Sequence, residues 1–434
     1  ELTAEDPLSL PSEDIAPTAF RPVLYPWLLH WLVQAGRVDG AAVVALHLLL
    51  GLASVVLTFA IAERLGVVGW IPALAVACDP LLLRASQRLM TESLATVLIL
   101  GGWYLLLRLI PDRQAAERLR PQWWLGLVVG ALMGAGVLAR PTLAPWAALC
   151  GLWVLAVGAL RRSHLQPSHR SLRWPRNWTV IASYFIGLSI VVGGWTMRNQ
   201  SMLGRPIWAT THGGYTLLLA NNPMLYQHFR ERGPDRNWDA VPFHQAWNSR
   251  WEAEAETELS PFWSEKQTSD VEPSITPVRG LGRSQREIND NEFAYEAAWA
   301  TINESLLDFV GSCVYRVGWF WAFWPAEPMH LAIRTAIGAW YMLAFLLAVV
   351  GVWRLVRRGG EASFRLDVRR WLPGLLLLIS LTCIHGVYWS NMRMRAPLMP
   401  VIYLVGAISI QAWTVARFRN HSGTEGRELG RPRS

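Results

Sequence analysis

The chain has 434 residues, 52% of them hydrophobic, an apolar share that excludes an ordinary soluble protein of this length. Its formal net charge of +8 is almost wholly arginine, with Lys266 the only lysine. The arginines cluster beside apolar runs, which fits membrane topology and argues against a nucleic-acid partner.

Residues 1–36 read as the later part of a first external loop and a segment lying at the membrane surface. The stretch "AFRPVLYPWLLHWL" (19–32) is too short to span a bilayer, which takes roughly 20 apolar residues. Pro22 and Pro26 bend it; Arg21 and Tyr25 are candidates to face a polar cavity, while Trp27, Leu28 and Trp31 rest in lipid.

Nine runs then read as spanning helices, at 39–63, 66–84, 91–110, 123–139, 142–160, 178–197, 331–353, 372–391 and 396–416. Lipid offers backbone groups no partner outside their own segment, so helices are forced and the fold class is an all-α polytopic membrane protein. The runs group as a six-helix membrane bundle within 37–199, an external segment over 200–330, three further helices over 331–416 and a cytoplasmic tail over 417–434.

Orientation follows the arginines. The linkers 111–122, 161–177 and 354–371 and the tail all carry several, and all fall on one side in this count, which makes that side cytoplasmic. The stretch 200–330 then lies outside. Its middle, 229–285, shows no period and reads as a loose insertion; 287–308 reads as a helix. The run "LLDFVGSCVYRVGWFWAFWP" (306–325) cannot cross once without breaking the arginine pattern, so it is expected to lie in the outer interface.

Charged groups gather at the outer helix ends. Asp79, Arg84, Arg88 and Glu92 share one external hairpin, and Arg84 and Arg88 are spaced to lie on one helical face. Two arginines on one face suit a phosphate or carboxylate. Arg198 stands at another outer end, and Arg393 and Arg395 at a third; Arg140 reads as part of a helix-ending Arg-Pro turn. Positive charge is normally sparse on that face, and an anionic ligand would account for it. In "THGGYTLLLANNP" (211–223), Asn221 and Asn222 have side chains that both donate and accept, as sugar hydroxyls require, around a short apolar strand or loop. His212, His228 and His244 lack metal-ligand spacing, and Cys78, Cys150, Cys313 and Cys383 form no CxxC pair, so no metal site is expected from them.

The series "RPVLYP", "TE" opening a helix, "ARP", "MRN…GRP", "GGYTLLLANNP", a Trp-rich run ending in Pro, and "RMRAPLMP" resembles the bacterial glycosyltransferase family 39 group. That group includes relatives of protein O-mannosyltransferases and of the lipid A aminoarabinose transferase. The resemblance covers Phe20 to Ala416 apart from the insertion. It implies the GT-C membrane fold, a cell (inner) membrane location, and transfer of a sugar from a polyprenyl-phosphate carrier to an acceptor on the outer face. Membrane lipid is the other partner it implies, and it leaves the sugar, the acceptor and any divalent metal open. It also implies a catalytic aspartate in a loop ahead of "RPVLYP", which is expected to precede Glu1 together with a first helix; Asp6, Glu13 and Asp14 read as the later part of that loop. Without that segment, activity by this mechanism is in doubt. Within the chain, Asp79 and Glu92 are the next carboxylates to consider, and Arg21, Tyr25, Arg84, Arg88, Arg198, Asn221, Asn222, Arg393 and Arg395 are the substrate-binding candidates.

Two other classes compete. A lipid-linked-sugar transporter or flippase predicts a symmetric pair of broken helices with polar groups in mid-membrane. An inactive relative that binds lipid-linked sugars differs from the enzyme only in its missing acidic motif.

Overall fold

A computed structural model describes residues 16–34, 40–109, 123–163, 176–233, 238–249, 283–326, 329–357 and 368–428. Asp6, Glu13 and Asp14, the 111–122 linker and most of the expected insertion (250–282) lie outside the described residues. Among the described residues there are helices and no strands. In chain order they are α1 (Leu24–Gln34), α2 (Gly40–Leu65), α3 (Trp70–Ala77), α4 (Pro80–Ser86), α5 (Glu92–Leu109), α6 (Trp123–Ala139), α7 (Ala144–Ser163) and α8 (Arg176–Leu203). There follow α9 (Gly213–Ala220), α10 (Pro223–Arg232), α11 (Val241–Ser249), α12 (Arg283–Glu304), α13 (Leu306–Phe320), α14 (Leu331–Arg357), α15 (Val368–Val387) and α16 (Met399–Glu428). Two 3-10 turns, Pro141–Leu143 and Met392–Leu398, precede α7 and α16.

Six stretches are helical, long and apolar enough to cross a membrane: Gly40–Leu65, Glu92–Leu109, Trp178–Leu203, Leu331–Arg357, Arg369–Val387 and Met392–Trp413. Trp123–Ala139 and Pro141–Ala156 are shorter apolar helices. The chain is therefore an all-α polytopic membrane protein. It divides into two compact units: Glu1–Val23, Val192–Phe320 and Thr382–Asn391 form one, and Leu24–Val191, Trp321–Leu381 and Met392–Ser434 form the other.

The larger unit corrects one expectation. The run 66–84, read as a single helix, is two helices, α3 and α4, with a break at Cys78 and Asp79. Pro80 causes it: proline has no N–H to continue the ladder and suits the first helical position. Asp79 takes an extended backbone there and accepts from Leu82 N at 2.7 Å, capping α4. Its other carboxylate oxygen accepts from the hydroxyls of Tyr341 on α14 and Tyr403 on α16, so the break is tied to two neighbours.

Hydrogen bonds mark the two ends of this unit's helices. At one end Arg370 donates to Arg64 O (2.9 Å), Trp103 to Arg370 O (3.1 Å) and Val68 N to Gln411 Oε1 (3.3 Å). The linkers 111–122 and 354–371 leave from this end. Glu92, Arg140 and the turn Met392–Leu398 belong to the other, since α5 starts at Glu92 and runs about 27 Å, at 1.5 Å per residue, toward the first.

Helices α6 and α8 touch through glycines. A Cβ on Gly130 would stand 1.8 Å from Tyr184 O, and one on Gly126 would stand 2.5 Å from Val180 O. Small residues one turn apart let backbones approach closely, which replaces the hydrophobic drive that lipid does not supply. Tyr184 then reaches Ala147 O on α7 at 2.6 Å.

The smaller unit is built around α9 and α12. The stretch 213–220, expected as strand or loop, is helical. The two glycines that read as turn signals serve instead to admit α12: a Cβ on Gly214 would meet Asn291 O at 2.2 Å, and Gly214 N donates to Asn291 Oδ1 at 2.9 Å. Glu287 of α12 accepts from Thr18 Oγ1, Ala19 N (2.9 Å) and Thr211 Oγ1, fixing the segment before α1. Helix α13 is two-faced: Leu306, Leu307, Val310 and Val314 are exposed, while Ser312, Arg316, Trp319 and Phe320 are buried. That is the pattern of a helix lying in a membrane interface.

The glycine contact predicts a contrast. Gly130→Leu should lower the melting temperature in detergent, with an overpacking cost of about 1–3 kcal/mol or more. Gly136→Ala, whose added carbon meets only Leu143 Cδ1 at 3.6 Å, should leave it nearly unchanged.

Candidate functional site

The end of the larger unit opposite its basic linkers carries an ionic cluster around a buried carboxylate. Glu92 opens α5, where a carboxylate complements the helix dipole. Its side chain is 4% exposed, with Oε1 3.2 Å from Arg393 Nε and 3.9 Å from Arg140 Nη1. Arg140 is placed by the proline that follows it: the residue before proline is pushed out of helical geometry. Its backbone is extended (φ −155°, ψ 102°), so the chain leaves α6 and the guanidinium turns toward α5. Arg393 comes from the turn Met392–Leu398, which Pro397 keeps from becoming an ordinary helix.

Two cations thus surround one carboxylate. One N–H group of each faces a soft acceptor: Arg140 Nη2 donates to Met394 Sδ (2.8 Å) and Arg393 Nη1 to Met90 Sδ (3.1 Å). A thioether is a weak acceptor. Arg140 Nη1, although buried, makes no hydrogen bond. An oxyanion placed here would gain charge-assisted bonds that sulfur cannot give.

A second polar group adjoins the first. Tyr25 of α1 packs with Leu94 of α5 and Ala139 of α6, the neighbour of Arg140. Its hydroxyl lies 2.7 Å from His47 Nε2 on α2, and His47 Nδ1 lies 3.4 Å from Ser93 Oγ, beside Glu92. Burial, and after it the Glu92 charge, hold the Tyr25 phenol above its ordinary range.

The other expected site residues have different company. Arg395 is fully buried, its guanidinium 4.6 Å over the Tyr341 ring and 5.1 Å over Phe345, with Nη1 donating to Ala322 O. It is a packed cation, as Asp79 is a packed carboxylate with both oxygens engaged. Arg84 is half-buried on α4 and Arg88 is exposed beyond that helix's end, so the expected shared helical face does not form. Arg21 and Arg198 belong to the smaller unit. Arg21 stacks on Phe20 at 5.0 Å; Arg198 lies 5.0 Å over Trp195 and donates to Thr18 O (3.1 Å) and Asn199 Oδ1 (2.9 Å).

Asn221 and Asn222 are both fully buried. Asn222 caps α10 by accepting from Leu225 N at 2.9 Å. Asn221 accepts from Arg316 Nη2 (3.1 Å) and donates to Val387 O (3.0 Å). Arg316 completes the staple by donating to Gly386 O (2.8 Å) and Ala220 O. These amides hold the smaller unit together and, in this arrangement, present nothing to a sugar.

Sequence reasoning read Arg140 only as a helix-ending turn and passed over His47. His47 was legible as an ionisable residue inside the apolar run of α2, a position that is costly unless used. Among the described residues, no three His, Cys, Asp or Glu side chains come together as metal ligands would.

No protein-family model matches the chain, and no curated protein matches it. Among solved structures, the archaeal oligosaccharyltransferase AglB from Archaeoglobus fulgidus, in complex with an inhibitory peptide and a dolichol-phosphate, aligns with it at 12% identity and a TM-score of 0.46. The alignment covers 96% of this chain and 44% of that one, so this chain spans less than half of that protein's length.

His212 of the smaller unit gives a pH test of its packing. It stacks on Tyr215 (5.1 Å) and meets the edge of Phe20 (4.5 Å). Burial, and then the Arg21 charge, push its imidazole down to about 4. The unfolded chain takes up this proton below about pH 6.5, the folded one only near 4, so stability should fall as pH drops across that window. Melting temperatures should show this slope in wild type and a shallower one in His212→Gln.

Proposed function

We propose that the chain is a multi-pass membrane glycosyltransferase of GT-C type that takes a sugar from a polyprenyl-phosphate carrier and transfers it at the extracytoplasmic face. The observation that carries this reading is the gathering of two guanidiniums, Arg140 and Arg393, on the one buried carboxylate of Glu92, with a donor of each resting on sulfur and Arg140 Nη1 making no hydrogen bond. The motif order in the sequence supplies the class of reaction.

A sugar on a lipid phosphate is already activated. As the bond from sugar carbon to phosphate oxygen breaks, negative charge grows on the phosphate, and donors fixed beforehand stabilise it most. Arg140 and Arg393 are those donors in this reading, with Tyr25 beside them. Glu92 serves as the countercharge that keeps both guanidiniums in register. The base for the acceptor hydroxyl is assigned to the aspartate that the resemblance places ahead of Arg21. Arg84 and Arg88, at the end of the same hairpin, are left to meet the anion on its way in.

The side of the membrane follows from the same helices. The arginine-rich linkers leave the larger unit at the end opposite the cluster, which supports an extracytoplasmic site by the positive-inside rule. The break at Asp79 is a feature a transporter reading would use. Its carboxylate is engaged by Leu82, Tyr341 and Tyr403, which favours a fixed bend over a moving ion site.

Two measurements test the proposal. Arg393→Ala and Arg140→Gln should each lower transfer from polyprenyl-phosphate sugars by about a hundredfold or more while leaving the protein inserted; full activity in both would sink the assignment. Gln87→Cys should react with an impermeant thiol reagent in intact cells, and Arg357→Cys only after the membrane is opened. The reverse pattern would put the site on the cytoplasmic side.

A further inference from the structure

His47 is 1% exposed on a helix whose neighbours along the chain are almost all apolar. A polar side chain in such a place is retained where it has work to do. The serine and threonine on the same helix, Ser54 and Thr58, satisfy themselves by donating one turn back, to Leu50 O (2.9 Å) and Ser54 O (2.7 Å). His47 instead reaches outward to two other helices, at Tyr25 and Ser93.

The direction of these bonds matters. A neutral imidazole donates from one nitrogen and accepts at the other. With the proton on Nδ1, Ser93 Oγ accepts and the Tyr25 hydroxyl spends its own proton on Nε2. With the proton on Nε2, the imidazole donates to the Tyr25 oxygen, and the phenol proton is free to point elsewhere. In either form Tyr25 cannot rotate its oxygen away from the cluster without breaking a bond of 2.7 Å. The ring packs with Leu94 and Ala139, which lie close along the chain to Glu92 and Arg140.

We propose that His47 is a positioning residue for anion binding: it fixes the Tyr25 hydroxyl so that it donates to the same phosphate head that Arg140 and Arg393 grip, with His47 carrying its proton on Nε2 when the site is filled. The proposal rests on the glycosyltransferase reading for the identity of the anion. The groups facing His47 are Tyr25 and Ser93, with Glu92 next along α5; no proton leaves the protein in this arrangement.

The test uses the full chain in detergent or nanodiscs, with a short-chain polyprenyl phosphate as probe and the matching polyprenol as control. Tyr25→Phe and His47→Phe should each weaken polyprenyl-phosphate binding about tenfold, the worth of one hydrogen bond to a charged group. Neither should change polyprenol binding. The double variant should lose no more than either single one, since both remove the same bond. His47→Gln, which can still donate to the phenol, should recover most of the affinity, and it carries the test together with Tyr25→Phe if His47→Phe fails to insert. Independent, additive losses, equal losses for polyprenol, or unchanged phosphate binding in Tyr25→Phe would each overturn the role of His47. If Arg140→Gln and Arg393→Ala abolish phosphate binding while the His47 variants do not, this inference alone fails. If wild type does not distinguish phosphate from polyprenol, the parent reading fails with it.

Discussion

A guanidinium enclosed by apolar helices has to find oxygen, a ring or a carboxylate, because nothing else there replaces water. Within each unit of this protein the buried arginines obey that constraint in a different way. Arg316 is satisfied by two backbone carbonyls and one amide, and so locks the ends of α9 and α15 to α13. Arg395 lies against two aromatic faces and donates to one carbonyl. Arg140 and Arg393 share a single carboxylate and lean on methionine sulfur. The first is a finished arrangement. The last stands out as the place for an anion because two guanidiniums meet one carboxylate there and a donor of each rests on sulfur.

How much of this the sequence discloses depends on how local the deciding force is. The apolar run 39–63 needs only its own length to become α2, and 331–353 likewise becomes α14. The run 306–325 was expected at the outer interface for its Trp and Arg content; α13 has an exposed apolar face, but Arg316 and Trp319 lie on its buried one. The break within 66–84 had a local cause as well, Asp79 followed by Pro80, but the apolar flanks outweighed it in a hydropathy reading. Residues 213–220 misled for the opposite reason: paired glycines usually mark turns, and here their lack of a side chain serves close contact with Asn291 and Tyr295, which are far along the chain.

The site was legible in outline only. Sidedness and residue type pointed to arginines at one set of helix ends, and Arg393 and Glu92 were among them. Which arginines meet is a tertiary fact. Arg393 and Arg395 differ by two positions in a 3-10 turn, so their side chains leave the turn in different directions, one to Glu92 and one to the ring of Tyr341. Arg140 and His47 lacked any spacing signal, because their partners come from other helices.

The same asymmetry argues for a phosphate over a carboxylate as the occupant. Glu92 Oε1 is ion-paired to Arg393 Nε at 3.2 Å and to Arg140 Nη1 at 3.9 Å. A second carboxylate would offer two oxygens and one charge to donors that face several directions. A sugar-bearing carrier phosphate is a diester with two free oxygens and one charge, but as its sugar leaves it becomes a monoester with three oxygens and more than one charge, enough to take the N–H groups now turned to Met90 and Met394 and the phenol of Tyr25 together. Displacing a thioether costs little, while displacing Glu92 would leave a buried carboxylate alone. The anion is therefore expected to add to the cluster and leave Glu92 in place.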